Sequence, residues 1–148
     1  MEKKQLNILL IEDNEGDVLL TREALENANG IGELEVKKNG ELAINYLSEI
    51  IKNRSNALPD LIFLDINLPK KNGHEVLQFI KENEQLKFLP VIMLTTSSSN
   101  FDVFNSYNNQ ANCFIMKPVD IHSFMDTIGK TIEFWCNIAQ LPTQQNPI

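Results

Sequence analysis

Four short stretches of the chain are almost uninterruptedly apolar: "LNILLIE" at 6–12, "LIFLD" at 61–65, "VIMLT" at 91–95 and "CFIM" at 113–116. None of them alternates apolar with polar residues, so each predicts a β-strand covered on both faces. A fifth run, "ELEVKK" at 33–38, does alternate, with Leu34 and Val36 set between charges, which is the pattern of an edge strand. A sheet buried on both sides needs helices on both sides.

The intervening sequence supplies them. "GDVLLTREALENA" sets Val18, Leu19, Glu23, Leu25 and Ala28 behind Asp17, a residue suited to cap the helix. Leu42, Ala43, Tyr46, Leu47 and Ile50 form a second stripe, and Val76, Leu77 and Ile80 a third. The longest runs through Ile121, Phe124, Met125, Ile128, Ile132 and Trp135, after Pro118 and an N-cap at Asp120. The stretch "SSSNFDVFNSYNNQ" at 97–110 predicts only a marginal helix ending near Asn109, because Ser and Asn compete for helical hydrogen bonds. Residues 53–60 read as a longish loop and 140–148 as a fraying tail, leaving residues 1–139 as one domain. The order βαβαβαβαβα implies a doubly wound parallel sheet with right-handed crossovers. Such sheets bind ligands beyond the carboxyl ends of their strands.

Composition narrows the function classes. With 43% hydrophobic and 22% charged residues the 148-residue chain has an ordinary globular balance, and its net charge of −7 argues against a nucleic-acid surface. No apolar run approaches the ~20 residues of a membrane span, and the short run in "MEKKQLNILLIED" ends in acids, unlike a signal peptide. Cys113 and Cys136 lack metal-ligand spacing and read as reduced thiols of a cytoplasmic protein.

The strand ends carry the chemistry. The first strand ends on Glu12 and Asp13, the third on Asp65, the fourth on Thr95 and Thr96, and the fifth on Lys117 and Pro118. Three carboxylates in contact repel by about 4 kcal/mol per pair at an effective dielectric of 20. Lys117 offsets part of that, and an all-oxygen donor set with room for water suits Mg²⁺ or Mn²⁺ rather than zinc. A carboxylate beside such a cation can act as a nucleophile towards a phosphoryl group, with Thr95 as a hydroxyl donor and Lys117 as a neutralising charge. The sharp turn through Pro69 exposes Asp65 and frees a backbone carbonyl such as that of Asn67 for the metal.

With "IED" at 11–13, "FLDINLPKKNG" at 63–73, "VIMLTT" at 91–96 and "FIMKP" at 114–118, the chain resembles the receiver domain of two-component response regulators over roughly residues 5 to 138. "EDNEGD" and "LPKKNG" are most similar to the small regulators associated with bacterial phytochrome-type histidine kinases. The resemblance implies a flavodoxin-like receiver fold with strand order 2-1-3-4-5. It implies that Asp65 accepts phosphoryl from a kinase phosphohistidine, with Mg²⁺ held by Glu12, Asp13, Asp65 and the Asn67 carbonyl. It further implies that Thr95 and Lys117 bind phosphoryl oxygens, that Phe114 is the aromatic switch, and that Asn67 and Ser97 tune phosphoryl lifetime. Gly73 falls where the family keeps a glycine in the turn. Thr96 stands where the family has a smaller residue, which would narrow access, and Asn109-Gln110-Ala111 replaces a small-residue turn, with Asn as the tolerant left-handed residue.

No output domain is expected after the last helix, so the signal would leave by partner binding, by onward phosphotransfer, or by homodimerisation through residues 100–138. Three other functions compete. An aspartyl phosphohydrolase would need an acid where Asn67 stands. A mononucleotide binder would need a Gly- or hydroxyl-rich first loop where "EDNEGD" is acidic. A receiver that binds partners without phosphorylation is disfavoured by the intact acceptor set. Lys70 and Lys71 read as solvated charges able to steer an acidic kinase surface, and neither His74 nor His122 is given a metal role.

Overall fold

Each apolar run becomes a strand of one sheet: those at 6–11, 61–64 and 91–95 are central and buried, whereas the run at 113–116, expected to be covered on both faces, lies at an edge and is only half-buried. The computed structural model describes residues 5–28, 30–53, 58–97 and 99–142. The strands β1 (Leu6–Ile11), β2 (Ile31–Lys37), β3 (Leu61–Leu64), β4 (Val91–Thr95) and β5 (Cys113–Met116) alternate with the helices α1 (Glu15–Glu26), α2 (Gly40–Asn53), α3 (Gly73–Glu82), α4 (Asn100–Asn108) and α5 (Ile121–Glu133). The strands form one sheet in the order β2-β1-β3-β4-β5, and every pair is parallel.

Successive residues of a strand point to opposite faces, and here both faces are filled. Leu9, Ile11, Ile62, Leu64, Val91 and Met93 pack against Ala43, Leu47, Val76, Leu77 and Ile80 of α2 and α3. Ile8, Leu10, Leu61, Phe63, Ile92 and Leu94 pack against Val18, Leu25, Phe124, Ile128 and Ile132 of α1 and α5. Each such fully buried side chain contributes roughly 1.5–3 kcal/mol. The polar strand ends sit on a rigid base.

Several boundaries differ from the expectations. β1 and β3 stop at Ile11 and Leu64, one residue before the acids, whose amides still donate to the neighbouring strands, Glu12 to the Lys37 carbonyl and Asp65 to the Ile11 carbonyl, each at 3.0 Å. The edge strand β2 begins at Ile31, two residues early, where the Leu6 amide donates to the Gly30 carbonyl. Asp17 is not the cap of α1: Asn14 is, its side chain accepting the Asp17 amide at 2.9 Å. The left-handed residue before β5 is Gln110, at φ 74°, and not Asn109, which closes α4 in a conformation with φ −93°.

The helix α4 forms as a full element from Asn100, although only Ser106 of it is buried. Capping stabilises it, the Ser99 hydroxyl accepting the Asp102 amide at 3.1 Å. After α5 the chain passes into a π-helical turn, Phe134–Ile138, that the periodicity did not announce. The loop expected at 53–60 falls partly, and the tail mostly, outside the described residues. Among the described residues no helix is long and apolar enough to cross a membrane.

Candidate functional site

Parallel strands bring their carboxyl ends to one edge, and there the polar residues meet. Glu12, Asp65, Thr95 and Lys117 are all buried, so the turn after Asp65 does not expose that side chain as expected, while Asp13 and Thr96 are exposed. The Asp65 amide donates to the Ile11 carbonyl at 3.0 Å and the Lys117 amide to the Thr95 carbonyl at 2.8 Å, so backbone pairing sets the register of the ends.

The Lys117 side chain organises the site. Its ammonium donates to Glu12, to Asp17 Oδ2 at 2.8 Å and to Asp65 Oδ2 at 3.0 Å, so each of its three protons has a carboxylate. Burial alone would push this ammonium down, but the bonds from Asp17 and Glu12 and the charge of Asp65 raise it above its ordinary value. For Glu12, burial dominates and lifts the carboxyl to about 8 against the pull of Lys117, with the charge of Asp65 adding to the rise.

Asp17 is the residue that sequence reading missed. Because α1 starts at Glu15, Asp17 lies in its first turn, free to turn its carboxylate to Lys117 rather than to cap the helix. The available signal was density: "EDNEGD" places four acids within six residues directly after a strand.

Glu12, Asp13 and Asp65 can each place one carboxylate oxygen within 4.8 Å of the other two. With Asp17 beside them the site holds four carboxyl groups against one ammonium, which bonds three of them, Glu12, Asp17 and Asp65, an excess of negative charge that a divalent cation offsets. The donor set is all oxygen, and Asp13 stands exposed at its rim. The residues therefore fit a hard divalent cation.

The turn after Asp65 is forced by close backbone packing. A Cβ on Gly73 would lie 2.2 Å from the Asp65 carbonyl oxygen and 2.5 Å from Ile66 Cα, and one on Gly40 would lie 1.9 Å from the Lys71 carbonyl oxygen. Within the loop the Ile66 carbonyl accepts the amides of Leu68 at 3.0 Å and Gly73 at 2.8 Å, and Lys70 takes φ 71°. Asn67 is exposed, and its amide donates to Asp65 Oδ1 at 3.3 Å.

On the next strand end the Thr95 hydroxyl oxygen accepts the Ser97 amide at 3.3 Å. Phe114 is half-buried against the α2/α3 side of the core, and its amide donates to the Tyr107 hydroxyl oxygen of α4 at 3.1 Å. Thus Glu12, Asp13, Asp65 and Lys117 come together directly, Thr95 stands at the adjacent strand end, and Phe114 lies three residues before Lys117 on β5. Neither histidine belongs to the acidic cluster.

The family model for the response regulator receiver domain matches residues 8–129. Response regulator Rcp1 of Synechocystis is 37% identical over 135 residues, 91% of this chain and 92% of its own. A probable methanogenesis regulatory protein, FilR2 of Methanothrix harundinacea, is also 37% identical over 135 residues, covering 91% of this chain and 86% of its own. The phosphorylated cyanobacterial phytochrome response regulator RcpA superposes with a TM-score of 0.89 at 39% identity, over 94% of this chain and 99% of its own. The Mn²⁺-bound form of Rcp1 gives a TM-score of 0.87 at 36% identity, over 93% and 99%. With its acids, its hydroxyl and its lysine gathered on the sheet edge and its relatives alike over nearly their full length, this chain belongs to the response regulator receiver domains of two-component signalling.

Proposed function

We propose that Asp65 accepts a phosphoryl group from the phosphohistidine of a sensor histidine kinase of the phytochrome type. The observation that carries this reading is the Lys117 ammonium shared by Glu12, Asp17 and Asp65 beside the Glu12–Asp13–Asp65 cluster. The likeness to regulators named for phytochromes supports the kinase class. Mg²⁺, or Mn²⁺ as in the Rcp1 structure, would be held by Glu12, Asp13, Asp65 and the backbone carbonyl of Asn67, and it supplies positive charge where an anionic phosphoryl group meets an anionic site.

An Asp65 carboxylate oxygen attacks phosphorus as the P–N bond to the kinase histidine breaks, and the electron pair leaves with the imidazole nitrogen. Lys117 turns one N–H from Asp65 to a phosphoryl oxygen while Glu12 and Asp17 retain the other two. The Thr95 hydroxyl donates to a second oxygen. Asn67 and Ser97 stand where they set the approach of water, hence the lifetime of the acyl phosphate. Hydrolysis returns the Asp65 carboxylate and inorganic phosphate, so the protein is a self-resetting acceptor rather than a turnover enzyme.

The signal leaves through α4, β5 and α5, with Phe114 changing rotamer as Thr95 moves. Phe101, Phe104, Met116, Val119 and Ile121 are exposed there, an apolar surface for a downstream protein, a phosphotransfer partner or a second copy paired through residues 100–138. The test is intact-protein mass after incubation with acetyl phosphate. A single phosphoryl adduct that requires both Mg²⁺ and Asp65 is expected, and an adduct persisting in Asp65→Asn would overturn the assignment.

A further inference from the structure

Just outside the acceptor site, one carboxylate joins three elements. Asp102, in the first turn of α4, accepts the Ser97 hydroxyl on one oxygen and His74 Nε2, from the first turn of α3, on the other at 2.9 Å. Because a carboxylate only accepts, both partners donate. The two bonds hold the Asp102 carboxyl below its ordinary range, Ser97 contributing more than His74. The His74 ring also meets Phe101 edge-on, with centroids 6.3 Å apart, and its Nδ1 is buried without a hydrogen-bond partner among the described residues. A ring with one satisfied nitrogen and a closed-in second one has a single orientation, and that orientation serves Asp102.

Both ends of this chain of contacts reach the acceptor site. His74 follows Gly73, whose amide holds the Ile66 carbonyl directly after Asp65. Ser97, tied by its hydroxyl to Asp102, donates its amide to the Thr95 hydroxyl oxygen at 3.3 Å. A hydroxyl that accepts an N–H on one lone pair directs its own proton elsewhere. The proton of Thr95 is thereby left for an oxygen on Asp65, provided Ser97 stays where it is.

We infer that Asp102 and His74 are positioning residues for phosphoryl retention: through Ser97 they hold the Thr95 hydroxyl aimed at the acyl phosphate, and they link the α3 end of the site to the α4 end. The inference rests on the acceptor reading above and extends it to two residues that touch neither phosphoryl group nor metal. A purely structural network would instead affect folding alone.

The test uses the full chain, loaded with acetyl phosphate and Mg²⁺ and then freed of donor, with loss of the adduct followed by intact mass. The proteins are wild type, Asp102→Ala, His74→Phe, His74→Gln and the double variant Asp102→Ala/His74→Phe, with thermal midpoint and Mg²⁺ affinity measured on each. Asp102→Ala and His74→Phe should each lose the phosphoryl group about fivefold faster, the effect of one ordinary hydrogen bond. The double variant should be no faster than the faster single one, since the residues act in series. His74→Gln retains an N–H donor and should decay as wild type does, whatever its thermal midpoint, and Mg²⁺ affinity should be unchanged throughout. Unchanged decay in Asp102→Ala, additive decay in the double variant, or decay that follows thermal midpoint would each overturn the inference. Should Asp102→Ala fail to fold, the contrast between His74→Phe and His74→Gln decides alone. Failure of wild type to load would overturn the acceptor reading, and this inference with it.

Discussion

Replacing Asp13 by Asn should stabilise the protein without metal and destabilise it relative to wild type with metal. Asp13 is the exposed member of the acidic cluster and makes no ion pair among the described residues, whereas Glu12 and Asp65 both bond Lys117. Its nearest charged neighbours are therefore repulsive. At the 4.8 Å that bounds the cluster, two unit charges repel by about 3.5 kcal/mol at an effective dielectric of 20 and by about 0.9 kcal/mol in water. Because Asp13 is exposed, the lower figure governs, and because Glu12 keeps its proton at neutral pH without metal, only the Asp65 pair counts, about 0.9 kcal/mol. Attraction to the Lys117 charge cancels part of this, leaving a gain of about 0.5 kcal/mol for Asp13→Asn in metal-free buffer at neutral pH. With a cation the sign turns. Losing one of three side-chain carboxylates should weaken binding about tenfold. At a Mg²⁺ concentration one hundred times the wild-type Kd, wild type gains about 2.7 kcal/mol and the variant about 1.4 kcal/mol, enough to reverse the order. Urea unfolding in EDTA and in Mg²⁺ at low salt measures both. A variant less stable than wild type in EDTA, or a stability gap indifferent to Mg²⁺, would refute the reasoning.

Three further outcomes are expected. Gly73→Ala forces a methyl to within 2.2 Å of the Asp65 carbonyl oxygen and should cost about 2–3 kcal/mol in urea unfolding, with phosphoryl uptake falling because Asp65 is displaced. Glu12 carries a folded-state carboxyl raised from 4.5 to about 8, so the native state keeps a proton that the unfolded chain releases. Metal-free stability should therefore fall as pH climbs between those values, Glu12→Gln should flatten that slope in thermal melts, and Mg²⁺ uptake at neutral pH should release protons measurable by calorimetry in buffers of different ionisation enthalpy. Phe104→Ser removes a side chain that is 75% exposed; thermal stability should change by less than about 0.5 kcal/mol, while any association that depends on phosphorylation weakens in sedimentation velocity.

What could be read from the chain, and what could not, divides along a physical line. Near-continuous apolar runs locate strands buried on both faces, and the residues ending those runs must emerge on one edge of a parallel sheet; Glu12, Asp65, Thr95 and Lys117 follow from that alone. Cap positions are less determined, because Asn14 and Asp17 are both good caps and a shift of the helix start by one turn changes what Asp17 does. That shift moved Asp17 from a helix end to Lys117. The His74–Asp102 contact was out of reach for another reason: its partners lie 28 residues apart on different helices, and no local pattern encodes which surface side chains will meet. The helix α4 falls between these cases, its extent legible from Phe104 and Tyr107 and its start fixed by the Ser99 cap.

The arrangement of charge explains why the extra acid belongs in the site. If Lys117 were held by Asp65 alone, converting Asp65 to an acyl phosphate would remove the carboxylate anchoring the ammonium, and a flexible four-carbon stem would be free to swing to solvent. Glu12 and Asp17 prevent that by accepting the other two protons, so Lys117 keeps its place on the sheet edge whichever state Asp65 is in. The consequence is too much negative charge in the resting site, which burial answers by holding a proton on Glu12 and which a divalent cation answers better. An incoming phosphoryl group adds still more anionic charge. On the acceptor reading proposed above, coupling acceptance to a cation would be a direct result of anchoring the lysine twice: the same residues that hold Lys117 steady through the reaction would make the site unreceptive to phosphoryl until positive charge arrives.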